Sequence, residues 1–91
     1  MNEYRVVFQY NKDHWSTVYH SSNPEDVYKY IEEHEKEIMD AIEHPDQCIY
    51  IAQYYGQYLV AKWKGDDVNE LALSFQFIAY PWMVAYLGLG R

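Results

Sequence analysis

Residues 71–89 carry no charged side chain, although the chain as a whole is strongly acidic. Leaving a segment this apolar in water costs free energy in proportion to its apolar area, so something must cover it. We expect the cover to be the rest of this chain together with a second copy, which makes a homo-oligomer. The interface between copies is predicted to include Phe75, Phe77, Trp82 and Tyr86.

A lipid bilayer is the alternative cover for this segment, because roughly 20 apolar residues suffice to cross one. Polar residues such as Gln76 and the helix-breaking Pro81 interrupt the segment, and the preceding sequence predicts a sheet that it can cover. We therefore expect protein rather than lipid around residues 71–89. A membrane-associated protein anchored by these residues remains an alternative.

Residues 67–87 are compatible with a helix and with a strand. Asp67 followed by Glu70 resembles the capping box of a helix start, with Asp in place of the usual Ser or Thr. The alternation of Phe75, Gln76 and Phe77 is typical of a strand, and periodicity alone does not decide between the two. The capping pattern favours the helix, and the strand is the alternative.

Two β-hairpins are predicted from runs in which apolar and polar residues alternate. The first spans the turn residues 11–13, and the second joins residues 48–55 to 57–64 across Gly56, which tolerates the positive φ of a tight turn. One face of the second hairpin is predicted to carry Ile49, Ile51, Leu59, Ala61 and Trp63. The other face is predicted to carry Tyr50, Tyr54, Tyr58, Val60 and Lys62.

Between the hairpins, the sequence predicts an amphipathic helix over residues 24–43. Asn23 and Pro24 form a typical helix start, and Pro45 disfavours helical backbone at the residue before it. An apolar stripe at spacings of three and four runs through Val27, Ile31, His34, Ile38 and Ile42.

The predicted fold is a single α+β domain over residues 1–91. It consists of an antiparallel four-stranded sheet, made of two hairpins and packed by an amphipathic helix. The order is ββαββ, followed by an apolar C-terminal segment that is helical or, alternatively, a strand.

The acidic charge of the chain is concentrated in the predicted helix. The net charge is −7, and residues 25–43 hold eight acidic residues against two lysines. Direct nucleic-acid binding is disfavoured, because phosphate contacts need a basic surface. We expect the helix to meet a basic surface of a partner protein instead. The predicted acidic contacts are Glu32, Glu33, Glu35, Glu37 and Asp40, and the predicted aromatic anchors are Tyr54, Tyr55, Tyr58 and Trp63.

The sequence contains no catalytic, cofactor-binding or metal-binding motif that we can identify. His44 and Cys48 have a tolerable spacing for metal ligands but lack a second pair, and no serine lies in a nucleophile motif. We therefore predict that the protein is not an enzyme and binds no cofactor or metal. The single cysteine and the lack of an apolar leader pattern at the N-terminus suit a cytoplasmic protein.

The functional hypothesis is a small acidic protein that binds a partner protein and inhibits or occludes it. Immunity proteins and phage anti-defence proteins are an analogy of size and charge alone. Two alternatives are the membrane-associated protein described above and a small-ligand binder with an aromatic pocket between the sheet and the C-terminal segment.

Overall fold

The computed structural model describes residues 1–82, which form four strands and three helices. The strands pair as two hairpins, and a helical connection links the hairpins. In chain order the elements are β1 (Asn2–Asn11), β2 (His14–Ser21), α1 (Pro24–Glu33), α2 (Glu35–Ala41), β3 (Cys48–Tyr55), β4 (Tyr58–Lys64) and α3 (Val68–Ala79).

The four strands form one sheet in the order β2-β1-β3-β4, and every neighbouring pair is antiparallel. This confirms the predicted α+β class and the four-stranded antiparallel sheet. Because β1 and β3 are the central pair, β2 and β3 run parallel to each other on either side of β1. The connection through α1 and α2 therefore crosses over β1 and places the helices on one face of the sheet.

The helix α1 begins where the sequence predicts. The side-chain oxygen of Asn23 accepts a hydrogen bond from the backbone N–H of Glu25 at 3.0 Å, and Pro24 follows as the first helical residue. Val27 and Ile31, one turn apart, are fully buried against the sheet. These contacts fix α1 above β1 and β2.

The prediction of one continuous helix to residue 43 is wrong. His34 leaves helical geometry with φ −112° and ψ 17°, so it ends α1 and precedes α2. Its ring stacks on Tyr30 at 4.2 Å, and its Nδ1 lies 2.9 Å from the Tyr30 carbonyl oxygen, which the backbone N–H of His34 also approaches at 3.0 Å. Beyond Ala41 the chain is extended at Ile42, in agreement with the stop expected from the following proline.

The segment after β4 is a helix, as the capping pattern favoured. A side-chain oxygen of Asp67 accepts a hydrogen bond from the N–H of Glu70 at 2.8 Å, and α3 runs from Val68 to Ala79. Leu71 and Phe75, at helical spacing, are fully buried in the core. The first part of the uncharged segment therefore covers the chain's own sheet; residues 83–89 lie outside the described range.

The core fills the space between α1, α3 and one face of the sheet. Phe75 contacts two aromatic rings of the sheet edge-on. The centroid of its ring lies 5.7 Å from that of Tyr4 and 5.0 Å from that of Trp63. Val6 and Ile51, from the two central strands, are completely buried beneath them. These side chains fill the space between the sheet and α3.

The register of the second hairpin differs from the prediction at its tip. Tyr54 pairs with Leu59, and Tyr55 pairs with Tyr58, because the pairing shifts by one residue after Gln53. Directly paired residues share a face of the sheet, so Leu59 lies with Tyr54 and Tyr58 lies on the opposite face. The predicted sides of Leu59 and Tyr58 are therefore exchanged, whereas Ile49, Ile51, Ala61 and Trp63 lie together as predicted.

Candidate partner-binding surface

The five predicted acidic contacts are all exposed on the helical side of the molecule. They are Glu32, Glu33, Glu35, Glu37 and Asp40. None of them forms an ion pair with another residue in the range 1–82; on these helices Lys29 pairs instead with Glu25, at 3.2 Å. The hydrogen bond to Glu25 is the largest cause of the raised pKa of Lys29. The carboxylates of this acidic surface therefore remain available to an external cation.

A cleft of about 340 Å³ opens between α1 and α3 within the acidic surface. Tyr28 and Glu32, one turn apart on α1, line one side of the cleft together with Glu35, the first residue of α2. Four residues of α3 form the opposite wall. They are two pairs of residues one helical turn apart, Val68 with Ala72 and Asn69 with Leu73. We call this the α1–α3 cleft; its wall on α3 is mainly apolar, and its other wall carries two carboxylates, Glu32 of α1 and Glu35 of α2.

The surroundings of this cleft raise the pKa of the Tyr28 phenol. Burial is the largest cause that raises its pKa, and the negative charge of Glu32 is the second. The charge effect places the phenol and the Glu32 carboxylate within electrostatic reach of each other.

Glu33 faces the other side of α1. It lines a second depression together with Tyr19, Asp26, Lys29, Tyr30 and His34. The Tyr19 and Tyr30 rings stack there with centroids 4.4 Å apart and planes 8° from parallel. Adjacent carboxylates in the sequence, Glu32 and Glu33, are thus directed to different grooves.

The predicted aromatic anchors do not form one cluster. Tyr54 lies on the face of the sheet that no described helix covers, with the Arg5 guanidinium 4.2 Å from its ring centroid. Tyr55 and Tyr58 form the exposed end of the second hairpin, where Tyr58 is 76% exposed. Trp63 is half-buried and packs on Phe75 of α3 at the edge of the core, away from the tyrosines.

The end of α2 and the tyrosine pair lie at opposite ends of the sheet. Ala41, which ends α2, lies beside Phe8 and Tyr10 near the end of β1, whereas Tyr55 pairs with Asn2 at its start. Eight residues of strand separate these positions, or roughly 25 Å. The predicted acidic contacts and the predicted tyrosine anchors therefore do not form one cluster in the structure.

The uncovered face of the sheet carries a layer of basic and aromatic side chains, and Tyr50, Tyr54 and Lys62 share it as predicted. Lys62 and Lys64 place their ammonium groups 4.3 and 5.8 Å from the ring centroid of Tyr50, and Arg5 covers Tyr54 and pairs with Glu3. We call this the open face. Lys62 and Lys64 share this face because they are two residues apart in a strand, and Arg5 joins them from β1.

The predicted residues of the oligomer interface also separate. Phe75 is fully buried in the core of its own chain, and Phe77 is half-buried on α3. Trp82 is exposed, with its ring 6.3 Å from that of Tyr80. Tyr86 lies outside the described residues. Phe75, Phe77 and Trp82 therefore lie in different environments, and the homo-oligomer stays a prediction.

Comparisons with models of protein families, with curated proteins and with solved structures found no match. Within residues 1–82, no helix combines the length and the apolar character needed to cross a membrane. The same residues contain no group of three or more histidine, cysteine, aspartate or glutamate side chains placed to hold a metal ion.

Proposed function

We propose that this protein is a small interaction protein that binds a basic surface of a partner protein through α1 and α2 and thereby occludes or inhibits that partner. The observation that supports the proposal is the acidic surface: five exposed carboxylates on consecutive helices without an ion pair to residues 1–82. Such a concentration of like charge destabilises the helices slightly, since like charges one turn apart repel.

A partner with complementary charge removes this repulsion and gains attraction. Charge complementarity of this kind accelerates association and selects against partners of the wrong sign. The proposal places binding on α1 and α2 and leaves the hairpin end, with Tyr55 and Tyr58, outside the main contact. It treats the protein as a binding module without chemistry of its own.

Affinity purification from extracts of the native host, followed by mass spectrometry, tests the proposal. The test variant carries Glu32→Lys, Glu33→Lys and Glu37→Lys, which reverse charge on the acidic surface. The matched control carries Asp13→Lys, Asp46→Lys and Asp66→Lys, three exposed residues outside the helices with the same total change in charge.

We expect wild type and control to capture the same basic partner. The helix variant should bind that partner at least about tenfold more weakly, or roughly 1.4 kcal/mol. Binding of wild type should also weaken as salt is raised, because screening shortens the reach of exposed charges. Equal capture by the helix variant and the control would remove the acidic surface from the function.

A further inference from the structure

We infer that the α1–α3 cleft receives an arginine side chain of the partner protein. The inference rests on the proposed function and names the part of the acidic surface that recognises a specific side chain of the partner. It follows from the combination of an apolar wall, two carboxylates and an aromatic ring around one opening.

The apolar wall suits the aliphatic part of a long basic side chain. Val68 is almost fully buried at the bottom of the cleft, Ala72 lies one turn further along α3, and Leu73 is 62% exposed at the rim. Arginine and lysine bury their methylene groups against surfaces of this kind and leave their charged ends at the polar edge. In the complex, the partner's side chain would bury part of the exposed Leu73.

The polar wall suits a guanidinium more than an ammonium group. Glu32 of α1 and Glu35 of α2 line the same cleft with their carboxylates, and Asn69 adds an amide oxygen from α3. A guanidinium has five donors in a planar fork and matches several acceptors at once, whereas an ammonium is a compact point charge. Guanidinium groups also stack on aromatic rings, as Arg5 does on Tyr54 of this chain at 4.2 Å. Tyr28 provides such a ring in the cleft.

The size of the cleft limits what it accepts. Its volume of about 340 Å³ lies at the lower end of the roughly 300–1,000 Å³ of ligand pockets. This matches one long side chain and is small for a folded element. Of the acidic surface, only Glu32 and Glu35 line the cleft, so the remaining carboxylates provide a control within the same helices.

Titration of the ¹⁵N-labelled protein with Nα-acetyl-arginine amide, followed by NMR, tests the inference without the partner. We expect saturable shifts of the backbone amides of Asn69, Ala72 and Leu73. The neutral isostere Nα-acetyl-citrulline amide should cause no saturable shift at these positions. The double variant Glu32→Gln and Glu35→Gln should weaken arginine binding at least fivefold, and the control Glu33→Gln and Glu37→Gln should leave it within twofold of wild type.

Three results would overturn the inference. They are equal binding of the citrulline compound, equal binding of Nα-acetyl-lysine amide, and equal weakening by the two pairs of glutamine variants. Partner capture by the acidic surface is measured separately, by the charge-reversal variants above. If those variants lose the partner while the arginine compound does not bind, the proposed function stands and the arginine site is excluded.

Discussion

Both faces of the sheet contain buried side chains, but different kinds of cover bury them. On the helical face, Val6 and Ile51 lie beneath α1 and α3, which are hydrogen-bonded and packed elements. On the open face, Val7, Tyr50 and Ala52 lie beneath the long side chains of neighbouring residues. A side chain can therefore be as inaccessible on the open face as in the core while its cover remains free to rearrange.

The same two faces separate the charges of the chain. The acidic surface lies on the helices, whereas three of the seven lysine and arginine residues, Arg5, Lys62 and Lys64, lie on the open face. A helical layer sets the two surfaces roughly 15 Å or more apart, which exceeds the Debye length of about 8 Å at physiological salt. Each surface therefore acts on its surroundings nearly independently, and the net charge describes neither of them.

The largest expected effect is the loss of the helical cover. Phe75→Ala removes a ring that is fully buried between the sheet and α3. We expect the free energy of unfolding to fall by about 3–5 kcal/mol, because the rigid surroundings cannot close around the cavity. Leu73→Ala on the same helix is the control; it removes an exposed side chain and should cost less than about 1 kcal/mol. Urea denaturation measures both, and similar losses would show that α3 does not hold the core.

A smaller effect compares the two faces directly through neighbouring residues of β1. Val6 is 0% exposed and faces the helices, and Val7 is 3% exposed and faces the open side. We expect Val6→Ala to cost about 2–3 kcal/mol and Val7→Ala about 1 kcal/mol, since each loses two methyl groups but only the core retains the cavity. Thermal or urea denaturation of the two single variants gives the difference. Equal losses would mean that the open face is packed as rigidly as the core.

Local structure was predictable here because its causes are local. The caps of Asn23 and Asp67, the stripe through Val27 and Ile31, and the alternation along the strands each depend on neighbours in sequence. The break at His34 was missed, because that residue lies on the apolar stripe and its ring competes for the Tyr30 carbonyl in three dimensions. The exchange of Leu59 and Tyr58 was missed because one extra residue in a strand reverses every face beyond it.

The candidate site was predictable only in part, for a different reason. The acidic residues were recognised from composition, but their division between two grooves depends on how α1 packs against α3 and β2. Strand order has no local signal either, and it decides which basic residues share a face. Trp63 was predicted as an anchor without its contact to Phe75, because a position on an edge strand does not reveal which helix packs against it.

The smallest expected effect concerns the pKa values of two tyrosines, one on each side of the sheet. Burial is the main cause that raises the pKa of both Tyr28, on the helical side, and Tyr50, on the open face. A raised pKa in the folded state contributes stability that is complete below the pKa of the unfolded chain, near 10, and is lost as the pH rises through the folded value. Tyr28→Phe and Tyr50→Phe should each make the alkaline loss of stability less steep.

Glu32→Gln distinguishes the two tyrosines. The charge of Glu32 is the second cause of the shift at Tyr28 and is not among the causes at Tyr50. We therefore expect this variant to lower the pKa of Tyr28 partway toward its ordinary value and to leave Tyr50 unchanged, as followed by NMR of ¹³Cζ-labelled tyrosine. Glu33→Gln, in the other groove, is the control and should move neither. A shift of Tyr50 as large as that of Tyr28 would mean that the two faces are electrostatically coupled through the sheet, contrary to the separation of their charges.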